Sequence, residues 1–282
     1  MAVGVAAGSV KGSPALGVNS LSSSSFSFNI AGPASSYWGV YSSTDLTAWT
    51  LAGSVTLNGS GTGTYTDSGI SGVPYQFYHL VNSNDCSSAI GFVRLTVPGT
   101  NGLAGFKMIA DQLIATNNNL NGLFNPMIDG TYLPSGSQIQ FWNGTSYVTN
   151  IWSSGAWSPN GNSTLLPGGG AFIDNGGTNP ITVSFAGLVP ESVTNYITNG
   201  VYMIYSALIP KAGGVQTVFG YPPSRKDTIE RWNSSGYFNS YNYYYLPSPG
   251  WSPSEPIVNV GESFFLDATT TKTWIMNYSP CP

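Results

Sequence analysis

The sequence predicts an all-β protein, and three features of the chain carry that prediction. Its apolar residues fall in short runs of β-branched and aromatic type, and Gly, Pro, Asn and Ser separate these runs. Such runs and separators are typical of strands joined by tight turns. Within residues 23–98 apolar and polar residues alternate, as they do along half-buried strands. The third feature is an internal repeat, since residues 103–190 resemble residues 198–280.

The repeat consists of five segments that match in the same order. The pairs are 105–109 with 200–204, 139–143 with 229–233, 157–159 with 251–253, 168–173 with 261–266, and 182–185 with 273–276. Five ordered matches are poorly explained by chance, so we predict a duplication. In this alignment Trp142 corresponds to Trp232, and Tyr147 corresponds to Tyr237.

Two local patterns refine the expected secondary structure. Asn143 and Gly144 stand between Trp142 and Tyr147, and Asn-Gly favours the positive φ angles of a type I′ hairpin turn. The equivalent corner at 232–237 carries a longer loop. We expect helix only at 110–123, as one helix or an irregular loop over the end of a sheet, and at 192–197.

The start of the chain is expected to be an arm. Residues 1–22 are rich in Gly, Ala and Ser and lack the bulk to form a sheet of their own. Such terminal segments are usually poorly ordered, so we predict a flexible N-terminal arm over 1–22. The alternative is that this arm adds a strand to the exposed edge of a neighbouring subunit. No Lys or Arg precedes Lys11, so the pattern of a secretory signal peptide is missing.

The first unit carries a recognisable pattern. Residues 41–50 are YSSTDLTAWT, followed by Thr66-Asp67 and by PYQFY at 74–78. This resembles the S-T-D-L-x-x-W-T…D…F-Y-R pattern of fibronectin type III-like or Ig-like modules in multi-module bacterial surface proteins, with His79 in place of Arg.

The repeated part is similar to another module of the same proteins, whose pattern is G-F-x-M-I…W-D-P…G-E-x-F-F. It departs from that pattern at Gly169, where Glu is usual, and at Ser158 and Ser252, where Asp is usual. The resemblance implies a fibronectin type III-like β-sandwich over 23–100, followed by two homologous β-sandwich or β-barrel-like modules over 101–193 and 194–282. It implies no catalytic residues, because none belong to either pattern.

Charged residues are scarce, since 8 Lys and Arg and 12 Asp and Glu make up only 7% of the 282 residues. Ser, Thr, Asn, Gly and Tyr must then form the polar surface, and these groups pack against one another without desolvating ions. Acid, base and metal chemistry needs charged groups, so we expect a non-enzyme without cofactor or metal. The formal charge of −4 gives no basic surface for nucleic acid, and no apolar run suits a membrane-spanning helix.

A few residues could in principle carry chemistry. His79 is the only histidine, so a Ser-His-Asp triad would have to use it. Carboxylates for glycoside hydrolysis could come from the second repeat, but their counterparts in the first repeat are uncharged, so we expect surface solvation. These carboxylates are Asp227, Glu230, Glu255 and Glu262. Asn84, Asp85 and Asp129 could offer oxygen ligands to calcium, although none lies in a dedicated calcium loop.

Other residues suggest contacts rather than chemistry. Trp142 and Trp232 suit either a packed core or a platform for sugars, and core packing is preferred because both lie at equivalent repeat positions. A tyrosine-rich run without a counterpart in the first repeat is a candidate contact surface, with ordinary strand packing as the alternative. Its tyrosines are Tyr237, Tyr241, Tyr243, Tyr244 and Tyr245. Cys86 and Cys281 allow one disulfide, and two unpaired thiols are the alternative.

These observations predict a non-enzymatic structural protein that self-assembles on the surface of a cell, an extracellular filament or a virus particle. Its partners would be copies of itself, as a homo-oligomer or filament, or other structural subunits. The alternative is a carbohydrate-binding or adhesive surface protein that uses its Tyr and Trp side chains to contact glycans.

Overall fold

Strands and turns make up almost all of the computed structural model, which describes residues 3–6, 14–83, 85–99, 105–233, 235–245 and 247–281. The predicted all-β fold is confirmed. The strands are β1 (Val3–Ala6), β2 (Ala15–Leu21), β3 (Phe26–Ala31), β4 (Tyr37–Ser43), β5 (Thr50–Thr56), β6 (Thr62–Asp67), β7 (Tyr75–Val81), β8 (Ile90–Val97), β9 (Phe106–Ile109), β10 (Gln138–Trp142), β11 (Tyr147–Ser153), β12 (Ala156–Ser158), β13 (Ala171–Asp174), β14 (Ile181–Leu188), β15 (Ser192–Ile197), β16 (Met203–Ser206), β17 (Gly213–Gly214), β18 (Thr228–Trp232), β19 (Phe238–Tyr244), β20 (Gly250–Ser252), β21 (Ile257–Val258), β22 (Ser263–Asp267) and β23 (Lys272–Asn277).

Helix is confined, among the described residues, to the five-residue α1 (Leu120–Phe124). The side chain of Asn119 caps it by accepting a hydrogen bond from the Gly122 N–H. Of the two alternatives expected for 110–123, the irregular loop applies to 110–119. The helix expected over 192–197 is wrong, because these residues form β15. Val193, Asn195 and Ile197 are buried in alternation with more exposed neighbours, which is the period of a strand.

The first unit, residues 14–81, consists of two facing sheets. The three-stranded sheet has the order β2-β3-β6, and the strands β5, β4 and β7 belong to a five-stranded sheet with the order β14-β8-β7-β4-β5. The facing sides of the two sheets carry large aromatic side chains. Phe26, Phe28, Trp38, Tyr78 and Phe92 fill the space between the two sheets.

The predicted arm over 1–22 is wrong for its second half. Ala15–Leu21 is β2 and pairs with β3, and its half-buried Leu16 and Val18 pack against the core of the first unit. The alternation of Leu16 and Val18 with polar or small residues explains this pairing. Val3–Ala6 is β1 and pairs with β15 of the same chain. Residues 7–13 lie outside the described part.

The rest of the chain contains two five-stranded sheets with the same architecture. One has the order β12-β11-β10-β13-β9, and the other has the order β20-β19-β18-β22-β16. The strands before and after each sheet in the sequence pair with each other. These are β8 and β14 for the first sheet, and β15 and β23 for the second. We call residues 90–188 copy one and residues 192–277 copy two. A small sheet of β17 and β21 is additional to copy two.

Strand pairing crosses the boundaries that were expected near residues 100 and 193. β8 was assigned to the first unit and β14 to the first repeat, yet the two pair along their whole length, from Ile181↔Val97 to Leu188↔Ile90. A single cluster of buried residues runs from Phe77 in the first unit through Ile139 in copy one to Trp274 in copy two. Copies one and two therefore share one core, which Leu46 and Phe77 of the first unit join, and the first unit has a further core between its own two sheets.

The pairing registers show which residues of the two copies correspond. Phe172 pairs with Met108, and the equivalent Phe265 pairs with Ile204. Met108 therefore corresponds to Ile204, whereas the sequence alignment matched Ile109 with Ile204. That alignment is wrong by one residue in this strand, because several apolar residues in a row match equally well in neighbouring registers.

The predicted type I′ turn is also wrong. Trp142 and Tyr147 form the last pair of the β10–β11 hairpin, so four residues form its loop. The Asn143 N–H donates to the Ser146 carbonyl (3.1 Å), and only Gly144 within this loop has a positive φ, of 101°. In copy two the loop is longer, and Trp232 faces Phe238 instead of Tyr237.

The two copies meet through reciprocal contacts of their equivalent tryptophans. Trp142 Nε1 donates to the carbonyl of Tyr202 in copy two (2.8 Å). Trp232 Nε1 donates to the carbonyl of Phe106 in copy one (3.0 Å). The registers make Phe106 and Tyr202 equivalent, so each copy gives one indole to the other. Each indole also lies edge-on to a phenylalanine of the opposite copy, Trp142 to Phe265 and Trp232 to Phe172.

Two equivalent glycines complete this exchange. The Gly261 carbonyl accepts a hydrogen bond from the Ala110 N–H of copy one (2.9 Å), and the Gly168 carbonyl accepts one from the Ser206 N–H of copy two (3.1 Å). Gly168 and Gly261 have φ angles of 88° and 74°. A Cβ atom on Gly168 would lie 2.7 Å from the side chain of Asn195, and one on Gly261 would lie 2.5 Å from Leu95. Both positions therefore require glycine.

A disulfide joins Cys86 to Cys281, with their Cα atoms 6.0 Å apart. The alternative of two unpaired thiols is not what the structure contains. The bridge ties the turn after β7 to the segment after β23, and a hydrogen bond from Ser88 to Glu191 (2.6 Å) lies in the same region. The ends of copy two are thereby fixed to the first unit.

Gly168→Ala and Gly261→Ala should each lower the free energy of unfolding by about 2 to 4 kcal/mol, because a methyl group adds φ strain and a clash with the other copy. Gly155→Ala is the matched control. Gly155 has a φ of 81° but open space around its Cβ position. Its cost should be limited to about 1 to 2 kcal/mol. Urea unfolding measures all three variants, and equal losses would contradict the reciprocal packing.

Candidate functional site

A cleft of about 530 Å³ opens where copy one meets copy two. Its walls come from the ends of β8 and β9, from the last residues of β18, and from the turn that precedes β22. Trp232 and Phe106 stand at its aromatic side and are held there by the indole-to-carbonyl hydrogen bond between the copies. The cleft is thus a product of the exchange between the two copies.

Arg231 and Glu262 form a bidentate ion pair in the wall of the cleft. Arg231 Nε donates to Glu262 Oε1 (2.7 Å), and Nη2 donates to Oε2 (2.8 Å). Glu262 Oε2 also accepts from the backbone N–H (3.0 Å) and the side-chain amide (2.9 Å) of Asn259. The turn from Asn259 to Glu262, which needs the positive φ of Gly261, places the carboxylate. The pair is mostly shielded, with side-chain exposures of 20% and 15%.

Lys107 adds a third charge to the cleft. Its Nζ donates to the carbonyl of Thr96 at the end of β8 (2.7 Å). Burial lowers the pKa of Lys107, and the nearby charge of Glu262 opposes that change. Two positive groups and one negative group therefore line the cleft, which leaves an excess of one positive charge.

A second cavity, of about 300 Å³, occupies the equivalent place on the other side of the exchange. It is lined by Trp142 together with the counterparts of the charged residues. Those counterparts are Phe141 for Arg231, Gly169 for Glu262 and Met203 for Lys107. One cavity is therefore charged and the other is not, although equivalent strand ends and turns supply these positions in both.

The carboxylates that were candidates for glycoside hydrolysis do not share a cleft, since each is held by partners of its own. Asp227 is buried and binds Lys272 (2.5 Å). Glu230 accepts from the hydroxyls of Tyr202 and Ser240, while Glu255 accepts from the N–H groups of Gln216 and Thr217. Glu262 pairs with Arg231 as described. These contacts explain the carboxylates as parts of the fold.

His79 lies in the core of the first unit, with its ring 4.1 Å from the ring of Trp49 and against Tyr41. Burial lowers its pKa to about 4 from an ordinary value of 6.5. Asp111 is fully buried and accepts from the Leu113 N–H (3.0 Å) and the Asn118 amide (2.9 Å). Burial raises the pKa of Asp111 to about 8. Both groups are packed inside the protein, where neither lines the cleft.

The tyrosine-rich run does not form one face. Tyr243 is buried and contacts Trp251, and Tyr241 is half-buried against the core. The exposed members are Tyr237, Tyr244 and Tyr245, with 69%, 44% and 47% of their surface accessible. Alternation along β19 turns Tyr244 away from Tyr243, whereas Tyr237 and Tyr245 lie just beyond the two ends of the strand. Trp142 and Trp232 are likewise engaged between the copies.

Over the described part of the chain, no cluster of three or more His, Cys, Asp or Glu side chains could hold a metal ion. Of the calcium candidates, Asn84 lies outside the described residues. Asp85 accepts from the Cys86 N–H, and Asp129 accepts from Thr131 and Ser184. Within the same residues, no helix has the length and apolar character needed to cross a membrane.

No family model matches the sequence, and no characterised protein matches it. Among solved structures, the chain is similar to one described as "Crystal structure of tetra-tandem repeat in extending region of large adhesion protein". It is 8% identical, and the match covers 94% of this chain and 73% of that chain with a TM-score of 0.21. A score this low supports no conclusion about fold or function.

Lys107 and Arg231 were not among the candidate site residues predicted from the sequence. Their signal was present in the alignment of the repeats, where Arg231 stands opposite an apolar residue, Phe141. Glu262 was considered only as a possible catalytic acid. A charge that appears in one copy alone, in a chain with so few charges, is the feature that could have identified the cleft.

His79 should make the protein less stable in acid. The unfolded chain binds a proton at His79 below about pH 6.5, whereas the folded protein leaves it neutral down to about pH 4. Between about pH 7 and pH 4.5 the free energy of unfolding should fall by about 2 to 3 kcal/mol more in the wild type than in His79→Gln. Urea unfolding at both pH values measures this, and parallel losses in the two proteins would refute it.

Proposed function

We propose that this chain is a non-enzymatic structural protein that self-assembles on the surface of a cell, an extracellular filament or a virus particle. The observation that supports this proposal best is the use of its few charges inside the fold. A surface made of amides, hydroxyls and rings can meet a copy of itself without the cost of desolvating ions.

Positive groups serve mainly internal contacts. Arg94 donates to the carbonyls of Ile70 and Val73 (both 3.2 Å), and Lys272 binds the buried Asp227. Lys211 donates to the Thr47 hydroxyl (2.7 Å). These residues hold strands and turns in place.

Most acidic groups are used in the same way, as acceptors for N–H and hydroxyl groups of the protein. Asp45 is an example, since its Oδ1 accepts from the N–H groups of Thr47 and Ala48 (both 2.8 Å), and the hydrogen bonds to its carboxylate lower its pKa. Others that accept such bonds are Asp67, Asp85, Asp111, Asp129, Glu191, Glu230 and Glu255.

Apolar side chains stand on outward strand faces. Tyr196 of β15 and Ile275 of β23 are 56% and 53% exposed on the face of one sheet. Tyr147, Val148 and Ile151 are exposed on β11. Such residues suit contacts between subunits, because they bury apolar area at low entropic cost.

The proposal includes a domain history. The first unit would be a fibronectin type III-like sandwich, a view supported by its three strands β2-β3-β6 facing the four strands β8-β7-β4-β5. Copies one and two would descend from a duplication, a view supported by the shared strand order of their sheets. The disulfide between Cys86 and Cys281 supports a location outside the cytosol, where such bonds persist.

Sedimentation and electron microscopy of the purified protein test the proposal. We expect regular multimers or filaments that form at low and high salt, because few ions take part in the contacts. A chain that stays monomeric at every concentration would refute self-assembly.

A paired substitution tests the sheet face. Tyr196→Lys with Ile275→Lys adds two charges to that face and should weaken assembly, because the ions must be desolvated in any contact. Ser24→Lys with Ser60→Lys is the control, since it adds the same charge on exposed loops of the first unit. If both pairs behave alike, that face does not mediate assembly.

A further inference from the structure

The charges of the cleft are not needed to build it. The smaller cavity is lined by the equivalent ends of β10 and β16 and by the equivalent turn, and it has the same reciprocal indole contact, with Phe141, Gly169 and Met203 in place of the charged residues. The end of β8 lines only the cleft. A chain that carries only 8 Lys and Arg places two of them, Lys107 and Arg231, at this one junction. Burial of charge without a structural need points to a ligand.

The cleft offers hydrogen-bond donors. Arg231 binds Glu262 through Nε and Nη2, so Nη1 is outside the ion pair. The Lys107 ammonium has three N–H groups, and one of them reaches the Thr96 carbonyl. Several acceptors in the walls are already engaged, namely both oxygens of Glu262 and the carbonyls of Thr96 and Phe106. This balance favours a ligand that accepts hydrogen bonds.

Most of the remaining lining of the cleft is apolar, and Asn233 and Asn259 are its amide residues. Leu95, Pro98, Pro180 and Val260 line it beside the rings of Trp232 and Phe106. The volume of about 530 Å³ lies in the range of small-molecule sites. An apolar wall of this extent suits a hydrocarbon or aromatic body better than a sugar, whose many hydroxyls need both donors and acceptors.

We propose that this cleft binds a small organic carboxylate with an apolar body. The carboxylate would lie between Lys107 Nζ and the outer edge of the Arg231 guanidinium, where the excess positive charge is. The body would pack against Trp232 and Leu95. Glu262 is a positioning residue, since it fixes the orientation of Arg231 and reduces the net charge. This proposal goes beyond self-assembly and does not depend on it.

Calorimetric titration of the full chain with 3-phenylpropionate tests the proposal, with 3-phenylpropanamide as the uncharged control. Lys107→Met installs the residue found at the equivalent position of copy two. It should weaken binding of the acid about tenfold, the ratio that corresponds to about 1.4 kcal/mol for a lost charged hydrogen bond. The amide should bind to the wild type no more tightly than the acid binds to Lys107→Met.

A second variant removes the ion pair without leaving a charge unpaired. Arg231→Phe combined with Glu262→Gly reproduces the residues of copy one and should also weaken the acid about tenfold. Met203→Lys places the ammonium in the smaller cavity instead and is the matched control, which should leave the affinity of the cleft unchanged. Thermal unfolding identifies any variant that fails to fold. In that case, the comparison of acid and amide binding to the wild type still tests whether the cleft recognises a carboxylate.

Any one of three results would overturn the proposal. The first is the absence of a heat of binding from the acid up to about 10 mM, a concentration at which a binding free energy of about 3 kcal/mol would still be detected. The second is equal binding of the acid and the amide, and the third is unchanged binding of the acid to both cleft variants. Particle formation by the same proteins is measured separately, so failure of the ligand site and failure of self-assembly give different outcomes.

Discussion

The reciprocal contact between the two copies is the constraint on which the rest of the structure depends. Each copy donates an indole N–H to the other and accepts a backbone N–H at a glycine that tolerates no side chain. Each copy therefore completes its partner. The core shared by the two copies, the position of Trp232 and the cleft all depend on this exchange.

The scarcity of charge takes on a more specific meaning in the structure. In most soluble proteins charged groups cover the exterior, because solvation there costs nothing. Here many of them hold turns and strand ends together, as Asp45, Arg94 and Glu255 do. Charged groups that reach the exterior, such as Asp45, thus also serve as structural parts of the fold. The cluster of Lys107, Arg231 and Glu262 stands out against this background.

Much of the architecture could be predicted from the sequence, because strands, turns and repeats leave local patterns. The all-β class and the correspondence of Trp142 with Trp232 are of this kind. The register of β9 against β16 was missed, since neighbouring apolar residues match equally well until a partner strand selects among them. Strand alternation underlies both the pairing of Ala15–Leu21 with β3 and the separation of Tyr243 from Tyr244, but neither segment was recognised as a strand with one buried face. The cleft was not predicted, because five segments of the chain form it and only the tertiary structure brings them together.

The bridge between Cys86 and Cys281 has a consequence for durability. It closes a ring of the chain over a sequence separation of 195, which includes the whole of both copies. A protease that nicks any loop within this ring leaves the two pieces covalently joined, and the pairing of the strands keeps them in register. A surface layer exposed to digestion would thus survive isolated cuts without shedding fragments.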